Sequence, residues 1–303
     1  MVTATIGTIL AREGGTFRVA TDRGEFTAIL RGKVKHRDAD RYVVGDRVHV
    51  DTEDPSGTLG IISAEPRRNL LERRSPDSRR ARPVAANLDR VLVFTATTNP
   101  EPLPALLDRL LVISEANDIP AGVVVNKCDL ASPEPIATRF ERIGYPVWRV
   151  SVKTSEGVDA LLAEVKGHVS LFTGPSGAGK SSLLNRLQPG LALRTSETSA
   201  KIGRGRNTTV GAVMVPLSIG GFLVDTPGFS DVGLWGIDPR GLMQCFPEMR
   251  PLIDQCKFAD CHHLIEPHCA VRAALAAGAI DAGRYESYRI LLGEIRAELE
   301  QWE

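Results

Sequence analysis

One octapeptide constrains the fold of this chain more than any other segment. Residues 174–181 read GPSGAGKS and match G-x-x-x-x-G-K-[ST] at every fixed position. The apolar stretch 168–173 precedes it and the helical stretch 181–188 follows it, which is the strand–loop–helix setting that this motif requires. Glycines let backbone N–H groups surround a phosphate, and the helix amino terminus adds partial positive charge. The octapeptide therefore predicts a phosphate-binding loop within an α/β domain.

The side chains of this loop predict how a nucleotide and its Mg²⁺ would be held. Lys180 is expected to reach the β- and γ-phosphates, and Ser181 is expected to ligate Mg²⁺. The predicted nucleotide-contacting residues of the loop are Gly174, Pro175, Ser176, Gly177, Ala178, Gly179, Lys180, Ser181 and Ser182.

Two later segments fit the same site. Asp225 ends an apolar run and begins the sequence DTPG, so its carboxylate is placed to hold Mg²⁺ through water, and the amide of Gly228 can face the γ-phosphate. The stretch 201–211, KIGRGRNTTVG, lies between the two motifs, and Thr208 or Thr209 can ligate Mg²⁺ when the γ-phosphate is present. Either segment alone would be interpreted as a surface turn or loop; their position in one chain favours the nucleotide interpretation.

A second group of residues predicts recognition of guanine. Asn126-Lys127-Cys128-Asp129 follows the apolar run 121–125. A carboxylate at Asp129 can accept hydrogen bonds from both N1–H and the 2-amino group of guanine, and adenine offers neither donor. Asn126 can tie this segment to the phosphate loop, and the Lys127 stem can cover the base. Ser151 begins SVKT at another strand end, where a loop backbone could recognise the guanine carbonyl.

These motifs together resemble those of translation-factor-type GTPases, but in a different order. In those proteins the phosphate loop comes first, and the NKxD and serine loops come last. Here NKCD at 126 and SVKT at 151 precede the phosphate loop, NTT at 207 and DTPG at 225. The resemblance implies a circularly permuted domain, which is permissible because domain termini commonly lie close together at the surface. The helical stretch 157–167 would link the two parts.

The rest of the chain predicts a multidomain protein. Residues 1–66 hold about five short strands with a hairpin at 17–30, which predicts a small all-β barrel of the OB type; composition alone does not separate it from an SH3-like barrel. Residues 67–83 contain seven arginines against two acidic residues and are interpreted as a basic linker that could contact RNA phosphates. Residues 84–233 alternate strands and helices, as expected for a doubly wound α/β P-loop GTPase domain. Residues 234–303 are predicted to form a helical metal-binding domain.

A cluster of cysteines and histidines at 256–269 predicts a metal site. Cys256, Cys261 and Cys269 offer three thiolates, and an odd total of five cysteines argues against a disulfide framework. With one imidazole they form the Cys₃His set of a closed structural zinc site. The residue pattern leaves His262, His263 and His268 open as the fourth ligand, and buried reduced cysteines remain the alternative.

Over nearly its whole length the chain resembles the circularly permuted, small-ribosomal-subunit-dependent GTPases of the RsgA family. The resemblance is carried by VGDRV, RNLLERR, AANLD, NKCD, GPSGAGKSSLLN, GRGRNTT, DTPGF, CKFADCHH with EPHCAV, and RYESYRILLGE. It implies an OB-fold, a permuted GTPase domain and a helical domain with one Zn²⁺ held by Cys256, Cys261, His263 and Cys269. It also implies GTP hydrolysis in late 30S subunit maturation, with 16S rRNA and the 30S subunit as partners.

Three residues depart from expected patterns, two from that of the family and one from that of many GTPases. Asn207 stands where the family loop GRGRHTT has a histidine, and His268 stands where the family has glycine. Phe229 follows DTPG, where many GTPases have a glutamine that orients the attacking water. Phenylalanine has no hydrogen-bonding group, so slow intrinsic hydrolysis and a stimulating partner are expected.

Bulk properties exclude several classes of protein. Basic and acidic residues balance at 37 each, which excludes a uniformly basic nucleic-acid binder. No apolar run approaches the roughly 20 residues that span a bilayer, and the start lacks a secretory pattern. A cytoplasmic monomer without membrane contact is expected. A metabolic P-loop kinase or ATPase is disfavoured by NKCD, and an RNA-binding scaffold with a degenerate nucleotide site is disfavoured by intact Lys180, Ser181 and Asp225.

Overall fold

The computed structural model describes residues 4–31, 42–51, 58–73, 82–187, 212–226 and 237–300. The chain folds into two compact units, each assembled from separate segments. The first unit contains residues 1–89, 165–172 and 183–229, and the second contains residues 90–164, 173–182 and 230–303.

The amino-terminal strands close into a barrel. Its strands are β1 (Ala4–Glu13), β2 (Thr16–Thr21), β3 (Gly24–Leu30), β4 (Arg47–Asp51) and β5 (Leu59–Ala64). They are hydrogen-bonded in the order β1-β2-β3-β5-β4, and only the β3–β5 pair in this barrel is parallel. Alternate side chains point inwards and form a core of Ile9, Phe17, Val19, Ala28, Val48, Val50, Leu59 and Ile61. The predicted five strands and the hairpin between β2 and β3 are therefore present.

Two strands that were not predicted from the sequence overlap the basic segment. Strands β6 (Leu70–Arg73) and β7 (Arg82–Ala86) pair antiparallel. Just before β6, the guanidinium of Arg67 donates to both carboxylate oxygens of the buried Asp46, at 2.7 and 2.8 Å. An arginine that sequence composition assigns to a solvated linker is thus held by a carboxylate beside the barrel.

A six-stranded sheet carries the predicted α/β architecture. Its strands are β8 (Arg90–Ala96), β9 (Ala121–Asn126), β10 (Val147–Arg149), β11 (Val169–Thr173), β12 (Val213–Pro216) and β13 (Phe222–Asp225), in the order β10-β9-β8-β11-β13-β12. Strands β8 and β9 are almost entirely buried, as near-continuous apolar runs predict for a parallel sheet. The edge strand β12 runs antiparallel to β13 and was not predicted.

Helices connect the strands and form the carboxy-terminal region. They are α1 (Pro104–Ala116), α2 (Glu134–Ile143), α3 (Val158–Val165), α4 (Lys180–Leu187), α5 (Ala270–Ala276) and α6 (Ala282–Glu300), with 3₁₀ helices at Leu242–Cys245 and Arg250–Gln255. Within the second unit, α6 packs on α1. Among the described helices none combines the length and the apolar character needed to cross a bilayer, the 19-residue α6 included.

Candidate nucleotide and metal sites

The phosphate loop lies between β11 and α4, as predicted. Gly174 and Gly179 have φ angles of +129° and +99°, in the range where only glycine is unstrained. A Cβ at Gly174 would overlap the carbonyl oxygen of Phe94, and one at Gly179 would overlap Nδ2 of Asn126. The glycines of the motif are therefore required both by backbone conformation and by close packing against neighbouring elements.

Lys180 begins α4 and folds back over the loop. Its Nζ donates to the carbonyl oxygens of Gly174 and Pro175, at 2.6 and 2.8 Å. Ser181 is half-buried in the first turn of the helix, and Ser176 is exposed at the crest of the loop. The ammonium group is thus held at the mouth of the loop, where an anion could replace its backbone acceptors.

Asn126, the last residue of β9, joins three loops. Its Nδ2 donates to the carbonyl oxygen of Ala178 in the phosphate loop at 2.9 Å, and its Oδ1 accepts from the backbone N–H of Val152 at 3.1 Å. The side chain is almost fully buried, so both bonds are shielded from water. The expected tie between the NKCD segment and the phosphate loop is present, and a second tie to the SVKT loop was not anticipated.

Asp129 and Ser151 lie in contact at the same edge of the sheet. Ser151 Oγ donates to Asp129 Oδ1 at 2.7 Å and accepts from the backbone N–H of Thr154 at 3.1 Å. Ser151 itself is fully buried. One oxygen of the carboxylate is therefore fixed by a hydroxyl group, which orients the plane of the carboxylate.

The segment that follows β8 also contacts these loops, and no recognised motif marked it. Thr97 N donates to the carbonyl oxygen of Asn126 at 2.9 Å, and Thr97 Oγ1 donates to that of Lys127 at 2.8 Å. Lys127 Nζ donates to the carbonyl oxygen of Asn99. The available signal was the polar stretch TTNP directly after an apolar strand, since such strand ends meet at one edge of a parallel sheet.

The remaining predicted magnesium-site residues are only partly described. Asp225 is the half-buried last residue of β13, paired in register with Val213 of β12. Thr208, Thr209 and Gly228 lie outside the described residues, as do Asn207 and Phe229.

The predicted metal ligands converge in the carboxy-terminal region. Ligand atoms of Cys256, Cys261, His263 and Cys269 all lie within 4.8 Å of one another. His263 Nδ1 is 3.5 Å from Cys256 Sγ and 3.4 Å from Cys269 Sγ, and the two sulfurs are 3.9 Å apart. Burial, together with the neighbouring thiols, raises the pKa of Cys261 to about 12. Clustered thiolates become favourable around a cation, so this donor set fits a metal ion.

Two tyrosines of α6 hold in place the segment 256–269, which carries the predicted ligands and is called the ligand loop below. Tyr285 and Tyr288 donate their hydroxyl hydrogens to the carbonyl oxygens of His263 and His262, at 2.6 and 3.1 Å. Burial lowers the pKa of His263, which favours the neutral imidazole that can bind a metal. The sequence did not point to the two tyrosines, because their role depends on α6 packing beside the loop.

This chain is similar to known proteins over nearly its whole length. A family model described as RsgA GTPase matches residues 64–235. The small ribosomal subunit biogenesis GTPase RsgA of Gemmatimonas aurantiaca is 48% identical, with 97% of this chain and 99% of that protein covered. The protein of the same name from Moorella thermoacetica is 42% identical, with coverage of 96% and 97%.

Two solved structures are also similar. The crystal structure of YjeQ from Thermotoga maritima gives a TM-score of 0.79 at 31% identity, covering 96% of this chain and 98% of that chain. The crystal structure of YloQ, described as a circularly permuted GTPase, gives a TM-score of 0.77 at 27% identity, with coverage of 97% and 96%. With the family model matching more than half of the chain and a relative 48% identical over almost all of it, this chain belongs to the RsgA family of circularly permuted GTPases and hydrolyses GTP.

Proposed function

We propose that this chain hydrolyses GTP during late maturation of the small ribosomal subunit, is stimulated by the 30S particle and binds 16S rRNA. The proposal of a guanine nucleotide rests on one observation: the side chain of Asn126 joins the phosphate loop to the SVKT loop through two hydrogen bonds. The ribosomal part is supported by the relatives named small ribosomal subunit biogenesis GTPase. A cytoplasmic monomer is the proposed form.

At the base, Asp129 is proposed to accept from guanine N1–H and the 2-amino group. Ser151 already donates to Oδ1, so the carboxylate is oriented before the base arrives. The Lys127 stem is proposed to cover one face of the base, and the other predicted contacts come from the phosphate loop, residues 174–182.

At the phosphates, Lys180 is proposed to leave its carbonyl acceptors and bind the β- and γ-phosphate oxygens. Ser181, Thr208 or Thr209, and Asp225 are the proposed holders of Mg²⁺, directly or through water. Bound there, Mg²⁺ would neutralise charge that develops on the phosphate oxygens. The Gly228 amide is proposed to face the γ-phosphate. Phe229 offers no group to orient water, which is why stimulation by a partner is expected.

The metal is proposed to be a structural Zn²⁺ held by Cys256, Cys261, His263 and Cys269. A tetrahedral site with Zn–S bonds of ~2.3 Å has sulfur–sulfur edges of about 3.8 Å and sulfur–nitrogen edges of about 3.5 Å. The spacings of 3.9, 3.5 and 3.4 Å agree with those edges. Four protein ligands leave no open position, so the proposed role is stability of the region and not catalysis.

The proposed domain organisation follows the same division as the sequence. Residues 1–66 are proposed to be an OB-type domain, supported by the closed five-stranded barrel. Residues 67–83 would be the basic connection, 84–233 the GTPase domain and 234–303 the zinc-binding helical domain.

Single-turnover hydrolysis tests the ribosomal proposal. Rates are measured for the full chain alone and with saturating 30S or 50S particles. Acceleration by 30S alone is expected, and equal rates under all three conditions would remove the stimulation proposal. Competition by GTP against ATP at the same site separates a guanine-specific site from that of a kinase or ATPase.

Substitution of Asp129 tests the base site. Asp129→Asn replaces an acceptor by a donor opposite the 2-amino group, so GTP affinity is expected to fall. Xanthosine triphosphate carries a carbonyl at that position and is expected to bind the variant better than it binds the wild type. Unchanged preference in Asp129→Asn would place the base elsewhere.

A further inference from the structure

Thr97 holds two consecutive carbonyl groups of the NKCD segment. Strands β8 and β9 pair in parallel up to the register Ala96–Asn126. Thr97, one residue beyond, continues the pairing through its backbone N–H, which donates to the Asn126 carbonyl at 2.9 Å. Its hydroxyl then donates to the next carbonyl, that of Lys127, at 2.8 Å. A side chain thereby extends the ladder where the backbone of β8 no longer can.

The reason that a side chain is needed lies in the conformation of Lys127. Its φ is +63°, in the left-handed region that L-residues other than glycine rarely adopt. Consecutive carbonyls of a regular strand point to opposite sides, so in a continued strand the Lys127 carbonyl would face away from β8; the left-handed turn instead brings it within reach of the Thr97 hydroxyl. Such a conformation costs free energy and persists only where surrounding contacts fix it. The Thr97 hydroxyl is one such contact.

The segment 97–100 fixes the side chain of Lys127 and borders the phosphate loop. Lys127 Nζ donates to the Asn99 carbonyl. A Cβ built at Gly177 would lie 3.2 Å from Cδ of Pro100, so this part of the phosphate loop runs directly beside the segment. Residues 97–100 therefore contact the proposed base-covering lysine at one end and lie against the phosphate loop at the other.

We infer that Thr97 is a positioning residue for guanine recognition, acting through the backbone of Asn126 and Lys127. This inference rests on the proposed guanine site. Asp129 lies two residues after Lys127. A rotation of the Lys127 peptide would therefore carry the Asp129 carboxylate away from the orientation that Ser151 fixes. The Lys127 carbonyl also accepts from the backbone N–H of Leu130 at 2.9 Å, so loss of the Thr97 hydroxyl would remove one of its two donors and leave the left-handed turn less fixed.

The test compares two nucleotides that differ only in the 2-amino group. Dissociation constants of GDP and IDP are measured by titration calorimetry for the full chain. In Thr97→Val, which keeps the shape and removes the hydroxyl, the ratio of the IDP constant to the GDP constant is expected to fall about threefold to tenfold. A loss of stability alone would leave this ratio unchanged, because it is measured on folded protein with both ligands.

Three variants keep the result interpretable. Thr97→Ser retains the hydroxyl and is expected to keep the wild-type ratio. Thr98→Val is the matched control, since the Thr98 hydroxyl makes no hydrogen bond to the described part of the chain. Thr97→Ala is a second hydroxyl-free variant, expected to show the same fall as Thr97→Val, in case the methyl group that replaces the hydroxyl disturbs folding.

The outcomes separate this inference from the proposed site. A wild-type ratio in both hydroxyl-free variants, or an equal fall in Thr97→Ser, overturns the role of Thr97. If Asp129→Asn does not weaken GDP binding, the proposed guanine site itself fails. If Asp129→Asn weakens it while the hydroxyl-free variants keep the wild-type ratio, the site stands and only the inference on Thr97 fails.

Discussion

Arg284 and Asp108 are both completely buried, and Nη1 of the arginine lies 3.1 Å from Oδ1 of the aspartate. Nε and Nη2 of Arg284 donate to the two carboxylate oxygens of Glu248 at 2.7 and 3.1 Å, and Arg284 also stacks over the ring of Phe246. Because Asp108 is on α1 and Arg284 is on α6, this network joins the helix that follows β8 to the carboxy-terminal region. Its charges tolerate burial because each has hydrogen-bonded partners.

Arg284→Met is expected to lower the free energy of unfolding by about 3 kcal/mol or more, because Glu248 loses its partner and Asp108 loses one of its donors in a dry environment. Urea unfolding followed by circular dichroism measures the change. Arg289→Met on the same helix is the control, since its ion pair with Glu286 is about half exposed, and a change within about 0.5 kcal/mol is expected. Equal stabilities of the two variants would contradict a stabilising role for the buried network.

Gly179→Ala is expected to weaken GTP binding about tenfold to hundredfold. The added methyl would overlap Nδ2 of Asn126 and break its bond to the Ala178 carbonyl, which leaves a buried amide unpaired. Equilibrium binding of a fluorescent GTP analogue measures the loss.

Gly144→Ala is the matched control for backbone strain. Gly144 ends α2 with a φ of +105°, close to that of Gly179, but nothing lies within 4 Å of a Cβ there. The control is expected to cost about 1–2 kcal/mol of stability and to bind GTP like the wild type. A similar loss of affinity in both variants would assign the effect to strain and not to Asn126.

Sequence motifs predicted the loops of this site because their chemistry is local and the strand ends of a parallel sheet meet at one edge. The contact of Asn126 with the phosphate loop followed from that reasoning. The observed order β10-β9-β8-β11 places the ends of these strands side by side, as the reasoning requires. The same reasoning could have placed the stretch TTNP at this edge, but it could not have found the role of Thr97. Its role depends on where the β8–β9 register ends and on the left-handed turn at Lys127, and neither is visible in residue types.

Two other elements were missed for physical reasons that differ. Strands β6 and β7 lie at the two ends of an arginine-rich segment and pair with each other, but the composition of that segment favours a solvated linker. Strand β12 has only four residues and gains its stability from pairing with β13. Short edge strands of this kind carry little periodic signal.

His263→Ala and Cys256→Ser are expected to lose the bound metal, because the spacing of the four ligand atoms fits a closed site in which each ligand is needed. Elemental analysis of the purified chain measures the zinc content, with about one ion expected per wild-type chain. The melting temperatures of both variants are expected to fall, while GTP affinity stays close to that of the wild type.

His268→Ala is the control for the choice of histidine, since the sequence alone left it open as a ligand. His268 is exposed and is not part of the converging set, so full metal content is expected. Loss of metal in His268→Ala with retention in His263→Ala would show that the fourth ligand is His268 and not His263.

Glu266→Gln is expected to destabilise the ligand loop, because this carboxylate accepts three backbone N–H groups. Oε1 accepts from His262 at 2.9 Å, and Oε2 accepts from Leu264 and Ile265 at 2.8 and 3.0 Å. Partial burial alone would raise the pKa of Glu266, but the backbone donors outweigh it and lower the pKa to about 2. The charged form therefore stabilises the fold at pH 7, above the unfolded-state pKa of about 4.3, and this contribution disappears only as the pH falls towards 2.

A glutamine at 266 would turn one amide N–H against a backbone N–H, so the free energy of unfolding at pH 7 is expected to fall by about 2 kcal/mol. Release of the metal to a chelator is expected to become faster, because His262 to Ile265 surround the ligand His263. Absorbance of a zinc indicator measures the release. Glu286→Gln is the control, since Glu286 is about half exposed and, within the described residues, forms an ion pair with Arg289 alone. Release at the same rate from wild type and Glu266→Gln would show that the carboxylate does not hold the loop around the metal.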